Sequence, residues 1–341
     1  LSVTGTFLVR SGILNSVHTF ANDPSRGIYI LIFLSCMILT SVYFLFTKYK
    51  SSNIQINSNS KETFILINNW FMMFYLITVL LGTLYPILTD VLFNSKISVG
   101  PPFYNSVIIP LVVIFLFLMA IGPQTKWIKN KFVNFKNYFF IILGASIINF
   151  SILYFFKSYS IISNLIIISS LFLIFSSLIE IFKKTAKINF ARIISHVSFG
   201  FLIFFIGLNH NFSVEKDFNL KVGETKKLEN YKFVLQDLKL IPNSNYKAVV
   251  GKLKVSNLKT SEETTLRPEI RIYDNPKTLT YEASIKTNFF KDYYLTMSNV
   301  DRSEYYNIKF QEKPLMMWIW ISVVMISLGG ILSFFRNAKN N

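Results

Sequence analysis

Cysteine is almost missing from this chain: Cys36 is the only one in 341 residues. No disulfide, CxxC redox pair or thiolate metal cluster can be built from it alone. Cys36 sits in a long apolar run, where a small apolar side chain is all the position asks for. Histidine is nearly as scarce, with only His18, His196 and His210. Any imidazole chemistry must therefore use one of these three. Walker loops, GxGxxG and HExxH are absent, so nucleotide-binding and zinc-protease readings lack support.

What the chain has in excess is apolar surface. It is 52% hydrophobic with 35 Phe and only 16% charged residues, and its mean hydropathy is +0.42. A soluble protein needs more polar surface than that, so most of the chain is expected to face lipid. The net charge of +17 could suggest nucleic acid. The charges fall instead in short clusters between apolar runs, as in the loops of a polytopic membrane protein, and nucleic-acid binding is not expected.

Seven runs reach the roughly 20 residues that a membrane crossing requires: 28–47, 64–88, 105–122, 137–156, 161–182, 192–209 and 315–335. Lysine and arginine cluster in alternate links: Lys48, Lys50 and Lys61; Lys126, Lys129, Lys131 and Lys136; Lys183, Lys184, Lys187 and Arg192; Arg336 and Lys339. The other short links carry little beyond Lys96 and Lys157. The asymmetry predicts an N-terminus outside and a C-terminus inside. The first residues show no cleavage pattern, so no signal peptide is expected.

Residues 210–313 break the pattern. Leu253 and Val255 alternate with Lys252 and Lys254, Ile270 and Ile272 with Glu269 and Arg271, Ile308 and Phe310 with Lys309 and Gln311. Pro242-Asn243 and Asp274-Asn275-Pro276 supply breakers between runs. Period two with such breaks predicts a small antiparallel β domain on the outer side. Long loops escape the positive-inside bias, so its lysines do not argue against that placement. The expected fold is thus a polytopic α-helical membrane protein of about seven helices with a β-rich domain before the last. Its parts are an outer segment at 1–27 (the end of a helix plus a histidine loop), six helices over 28–209, the β domain at 210–313, and a last helix with an inner tail at 314–341.

His196 lies in ARIISHVSFGFLIFFIG, about one turn beyond Arg192. An ionisable residue at that depth is costly and marks a functional candidate, and neutral imidazole is a common haem ligand. Gly200 and Gly207 would admit a flat macrocycle or a neighbouring helix. The competing reading is a histidine hydrogen-bonded to another helix. His210, fourteen positions on, falls on nearly the same face. It could extend a two-haem ladder, but no histidine remains for the ladder's second helix, which favours an interfacial residue. His18 stands in RSGILNSVHTFANDPSRG, before the first span. Asn22-Asp23-Pro24 reads as turn chemistry that would hold it at the outer surface. Arg10 and Arg26 flank it and could clamp carboxylates bidentately or anchor the interface.

RSGILNSVHTFANDPSRGIYIL resembles the signature of the CcmF family, the haem lyase component of System I cytochrome c maturation. The likeness continues in order through SKETFILINNW (60–70), LGTLYP (81–86), VGPPFYN (99–105) and the helix at 191–207. In the outer domain it includes VGETKKLENY, SNYKAVVGKLKV and LRPEIRIY, and it closes with KPLMMWIWISVVMISLGGIL (313–332).

The resemblance implies that His18 holds the haem being transferred and that His196 is one axial ligand of a resident haem b, so that both contact haem iron. With a haem at His18, Arg10 and Arg26 could clamp its two propionates, interfacial anchoring being the alternative. The resemblance also implies haem delivery by the chaperone CcmE, thioether attachment to apocytochrome c with a thiol-handling CcmH-type partner, and electrons from quinol. His210 has no counterpart. Only the family's C-terminal half is represented. Trp70, Trp127, Trp318 and Trp320 are scattered and make no WWD motif. An N-terminal half carrying the WWD loop and two further histidines is therefore an expected partner, from a split gene or an incomplete chain. Abundant Phe, Ile, Asn, Lys and Tyr suggest an AT-rich genome. The expected location is then a mitochondrial inner membrane with the β domain in the intermembrane space, or a bacterial plasma membrane with the domain in the periplasm. Two other classes remain open at this stage: a structural or quinone-handling subunit of a respiratory complex, and a secondary transporter. The transporter would show inverted repeats, and none is found.

Overall fold

The computed structural model describes residues 2–11, 23–48, 60–95, 97–127, 135–156, 160–182, 188–274, 277–300 and 303–340. It divides into two compact units, Leu1–Phe139 and Phe140–Asn341. Among the described residues, seven helices are long and apolar enough to span a membrane. With the β domain before the last of them, the chain has a polytopic membrane fold with an inserted domain.

The first unit holds α1 (Ser2–Arg10), α2 (Pro24–Lys48), α3 (Lys61–Phe93) and α4 (Pro101–Ile121). Asp23 accepts from the Arg26 amide at 3.2 Å and so caps α2. Pro24 is the first helical residue. The expected turn is thus a helix start, because proline at that position lacks only an N–H that would have no partner anyway. α3 begins at Ser60, whose hydroxyl accepts from the Thr63 amide, and ends at Asn94 in the left-handed region at φ 50°. It runs through Pro86 to Phe93, five residues past the expected end. α4 lies along it. A Cβ at Gly82 would come 2.8 Å from Cζ of Tyr104, so two of the motifs read from sequence, LGTLYP and VGPPFYN, meet at this contact. Phe71 and Phe115 pack at 5.4 Å. The hairpin closes where the Lys61 amide donates to the Lys126 carbonyl at 2.9 Å.

The second unit contains most of α5 (Phe135–Phe156), with α6 (Ile161–Ile179), α7 (Phe190–Phe212), the β domain and α8 (Met316–Asn340). Ala145, Ile167, Leu171, Ile174 and Leu208 form the buried core of its helices. α7 continues to Phe212, so the β domain begins at Val214 rather than at 210.

The strands are β1 (Val214–Leu220), β2 (Thr225–Leu228), β3 (Tyr231–Pro242), β4 (Tyr246–Asn257), β5 (Glu263–Leu266), β6 (Glu269–Asp274), β7 (Lys277–Glu282), β8 (Ser284–Thr287), β9 (Lys291–Asn299) and β10 (Tyr306–Pro314). One sheet has the order β1-β10-β9-β8. The other has β2-β3-β4-β6-β7, with β5 also on β4. All these pairs are antiparallel.

Alternation fills the space between the sheets as the sequence predicts. Leu253, Val255, Ile308 and Phe310 are buried with Phe218, Phe233, Leu295 and Met297. Phe233 packs against Phe218 at 4.7 Å and against Phe310 at 5.1 Å. Ile272 departs from the expectation, being 41% exposed while Ile270 is buried. It pairs with Leu279 of β7, itself 47% exposed, so the alternation continues there on an uncovered part of the sheet. Of the expected breakers, Asn275 and Pro276 lie outside the described residues.

Candidate functional site

α7 carries the described part of the site. Asn189 accepts from the Arg192 amide and starts the helix. Twelve residues before Arg192, Glu180 closes the end of α6, and the two side chains form an ion pair, 25% and 14% exposed. Glu180 was not singled out in the sequence. A lone carboxylate closing an apolar run gives no periodic signal, and its partner lies on the next helix.

Two flanks of α7 are occupied. A Cβ on Gly200 would sit 2.6 Å from Cγ1 of Ile174 and 3.3 Å from the Ser170 carbonyl oxygen. One on Gly207 would sit 3.1 Å from Cγ2 of Ile166. These glycines bring α6 close. On the other flank Gly329 of α8 lies against Ser195, with its Cβ position 2.9 Å from the Ser195 nitrogen and 3.2 Å from the Ala191 carbonyl oxygen. Small residues at both contacts let helices approach where lipid supplies no hydrophobic drive.

His196 stands one turn before Gly200, on the same stripe of the helix, and the residue is half-buried. Among the described residues its imidazole has no hydrogen-bond partner. The reading of a histidine bonded to a neighbouring helix therefore finds no partner there. His210 is exposed, in the last turn of the same helix.

His18 lies outside the described residues, as do Lys50, Lys96, Lys129, Lys131, Lys157, Lys183, Lys184 and Lys187. The residues on either side of the 12–22 segment are described, and they are joined. The Asp23 amide donates to the Arg10 carbonyl at 3.0 Å. A Cβ on Gly27 would lie 3.1 Å from Cα of Ser11. Arg10 ends α1, and Arg26 pairs with Asp23 at 3.1 Å with its side chain 72% exposed. Both flanking arginines therefore stand at the anchored base of this segment.

At the opposite end of α7 the β domain is fastened to the helices. Asn209 Nδ2 donates to the Pro314 carbonyl at 2.5 Å. Trp318 of α8 packs on Phe205 at 5.7 Å and on Phe289 at 4.9 Å.

Residues 211–314 match the family model described as the CcmF C-terminal beta-sandwich. The chain is 30% identical to the cytochrome c-type biogenesis protein CcmF of Haemophilus influenzae, over 98% of this chain and 54% of that protein. It is 28% identical to CcmF of Escherichia coli, over 98% and 53%. A solved structure titled cytochrome c heme lyase CcmF shares the fold with a TM-score of 0.69 at 18% identity, covering 93% of this chain and 51% of that one. The chain spans about half the length of the curated relatives it matches. Over nearly its whole length, therefore, the chain is similar to CcmF proteins, and residues 211–314 align it with that family's C-terminal half.

Proposed function

We propose that this chain is the C-terminal half of a haem lyase for cytochrome c biogenesis, with His196 as an axial ligand of a resident haem b. The observation that carries the reading is the state of His196. It is half-buried in a spanning helix, one turn before Gly200, with no hydrogen bond to its ring among the described residues. Nothing in the described surroundings competes for the lone pair that an iron would take, so the residue fits one axial position. A haem bound there supplies one-electron redox chemistry at its iron.

The chain's own residues then have distinct tasks. His196 holds the iron from α7, and the Glu180–Arg192 ion pair fixes the end of that helix one turn away. His18 serves the transfer site from a segment whose base is closed by the Arg10–Asp23 hydrogen bond. Arg10 and Arg26 would meet propionates in this reading, and a propionate at Arg26 would exchange with Asp23. Two axial ligands are needed for a low-spin haem, so a second segment supplies the other histidine of each site, together with the WWD loop. A CcmE-type haem chaperone, apocytochrome c, a CcmH-type thiol-handling partner and quinol are the remaining partners in this reading.

For orientation, the β domain faces the outer side and the lysine-rich links the inner side. A bacterial plasma membrane with a periplasmic β domain fits the bacterial relatives.

Reduced-minus-oxidised spectra test the proposal. The chain expressed with the family's N-terminal half should show a b-type α-band that His196→Ala removes. The chain by itself should show none. A stoichiometric bis-histidine haem in the isolated chain, or an unchanged band in His196→Ala, would overturn it.

A further inference from the structure

The turn between β8 and β9 differs in chemistry from the turn between β3 and β4. The latter is Asn243-Ser244-Asn245, wholly polar. The β8–β9 turn is Asn288-Phe289-Phe290, with Phe289 49% exposed and Phe290 68% exposed. Asn288 holds it rigidly: its Oδ1 accepts from the amides of Phe290 at 3.0 Å and Lys291 at 2.8 Å. Its own amide donates to the Lys291 carbonyl at 3.0 Å. Two exposed aromatic rings on a fixed turn have a cost in water and therefore ask for a partner.

The position of the turn identifies that partner. The Leu315 amide donates to the Phe290 carbonyl at 2.7 Å, and α8 begins at the next residue. Phe289 packs edge-on against Trp318 in the first turn of α8, at 4.9 Å. The apolar span Met316–Arg336 has 21 residues, and at about 1.5 Å each they cover the roughly 30 Å hydrocarbon layer. The turn that follows, Asn337-Ala338-Lys339-Asn340, is too polar to enter it. The first turn of α8 must then lie at the membrane boundary, and the Phe289-Phe290 turn is bonded to it. Trp320, 64% exposed, stands at the same level. Tryptophan gathers at this depth because the interface accepts both its ring and its dipole, and phenylalanine enters it as an apolar side chain.

We infer that the β8–β9 turn inserts Phe289 and Phe290 into the outer membrane interface, as a third attachment of the β domain beside α7 and α8. The lipid contact is apolar rather than ionic. Lysines near the turn are engaged within the domain: Lys291 with Glu262 at 3.3 Å and Glu312 at 3.4 Å, Lys286 with Thr264 at 3.4 Å, and Lys313 over the Tyr294 ring at 5.6 Å. Zwitterionic lipid is therefore sufficient.

Quenching of a fluorophore at the turn tests this. Phe290→Cys in a Cys36→Ser background is labelled with NBD, and the full chain is reconstituted in phosphatidylcholine vesicles. Ser244→Cys on the polar turn is the control. Phe290 is exposed enough for the replacement to leave the fold intact, which an unchanged thermal unfolding curve verifies. The label at 290 should be quenched severalfold more by headgroup-level nitroxide lipid than by aqueous iodide, and the label at 244 the reverse. Adding anionic lipid should change neither ratio. Iodide quenching at 290 equal to that at 244 would overturn the insertion. Shielding from both quenchers would point to a protein partner instead, and a requirement for anionic lipid would refute the apolar contact.

Discussion

Gly200 of α7 and Ile174 of α6 meet so closely that a methyl group on the glycine would stand 2.6 Å from Cγ1 of the isoleucine. The Ser170 carbonyl oxygen, 3.3 Å from the same point, belongs to backbone and cannot swing aside. Gly200→Ala should therefore push α7 from α6 and cost about 1–3 kcal/mol, the usual range for overpacking. Gly207→Ala meets only side-chain atoms at 3.1 Å and beyond, and should cost less. Unfolding of both variants in detergent gives the comparison.

Glu180 and Arg192 compensate each other at the end of the α6–α7 pair. Glu180→Ala strands a guanidinium that is three-quarters buried, and loss of one partner of a buried pair costs about 3–5 kcal/mol. Replacing both by apolar residues should recover most of that stability. The order wild type, double variant, single variant in thermal stability is the expected result. A double variant no better than Glu180→Ala would show that the two side chains act separately.

The two histidines should fail in different ways. His18→Ala should leave the resident haem spectrum intact and stop transfer to apocytochrome c, whereas His196→Ala should remove the spectrum itself. Measured side by side at equal protein levels, loss of the b-type band in both variants would contradict separate sites.

Topology can be read with an impermeant maleimide. Ser244→Cys, in the Cys36→Ser background, should be labelled from the outer face of intact cells or mitoplasts. A cysteine replacing Arg336 should be labelled only after the membrane is opened. The reverse pattern would invert the assignment of every link.

Burial pushes the Glu312 carboxyl above its ordinary value, even with Lys291 Nζ at 3.4 Å. A carboxyl raised in the folded state holds its proton longer there than in the unfolded chain. Its contribution is greatest below the unfolded value of about 4.3 and is lost as pH rises through the folded one. Glu312→Gln should abolish this part of the slope, so that the stability difference between variant and parent grows with pH across that window and then levels off. Exposed pairs such as Lys309–Glu215 and Lys254–Glu263 are present in both proteins and cancel in the comparison.

Much of this architecture was legible because each element repeats one physical demand many times. Seven runs had to be long enough to cross lipid, and Leu253, Val255, Ile308 and Phe310 had to alternate to fill a sandwich. Single contacts were not legible. Ile272 alternates correctly but lies on an uncovered part of its sheet, and sequence period does not report where the cover ends. Asp23-Pro24 suits a turn and a helix start equally well. Only the distance from the Arg26 amide to Asp23 decides between them. Glu180 needed its partner on the following helix. His196 stood out by its depth in an apolar run, whereas His18 was singled out by family likeness, since a histidine outside any periodic run has no pattern to violate.

The pairing of β1 with β10 bears on how the sandwich responds to force. Val214 faces Glu312 at the end of that ladder, so the strands that leave α7 and enter α8 part from the same point. If the two helices were drawn apart, the ladder would open from that end one hydrogen bond at a time, like a zip, instead of shearing as a whole. The β domain therefore has little mechanical strength of its own in that direction. Its clasp is the helix pair beneath it, held by Gly329 against Ser195 and by the Asn209–Pro314 hydrogen bond. Any motion that separated α7 from α8 within the bilayer would be delivered undamped to the first strand pair outside it.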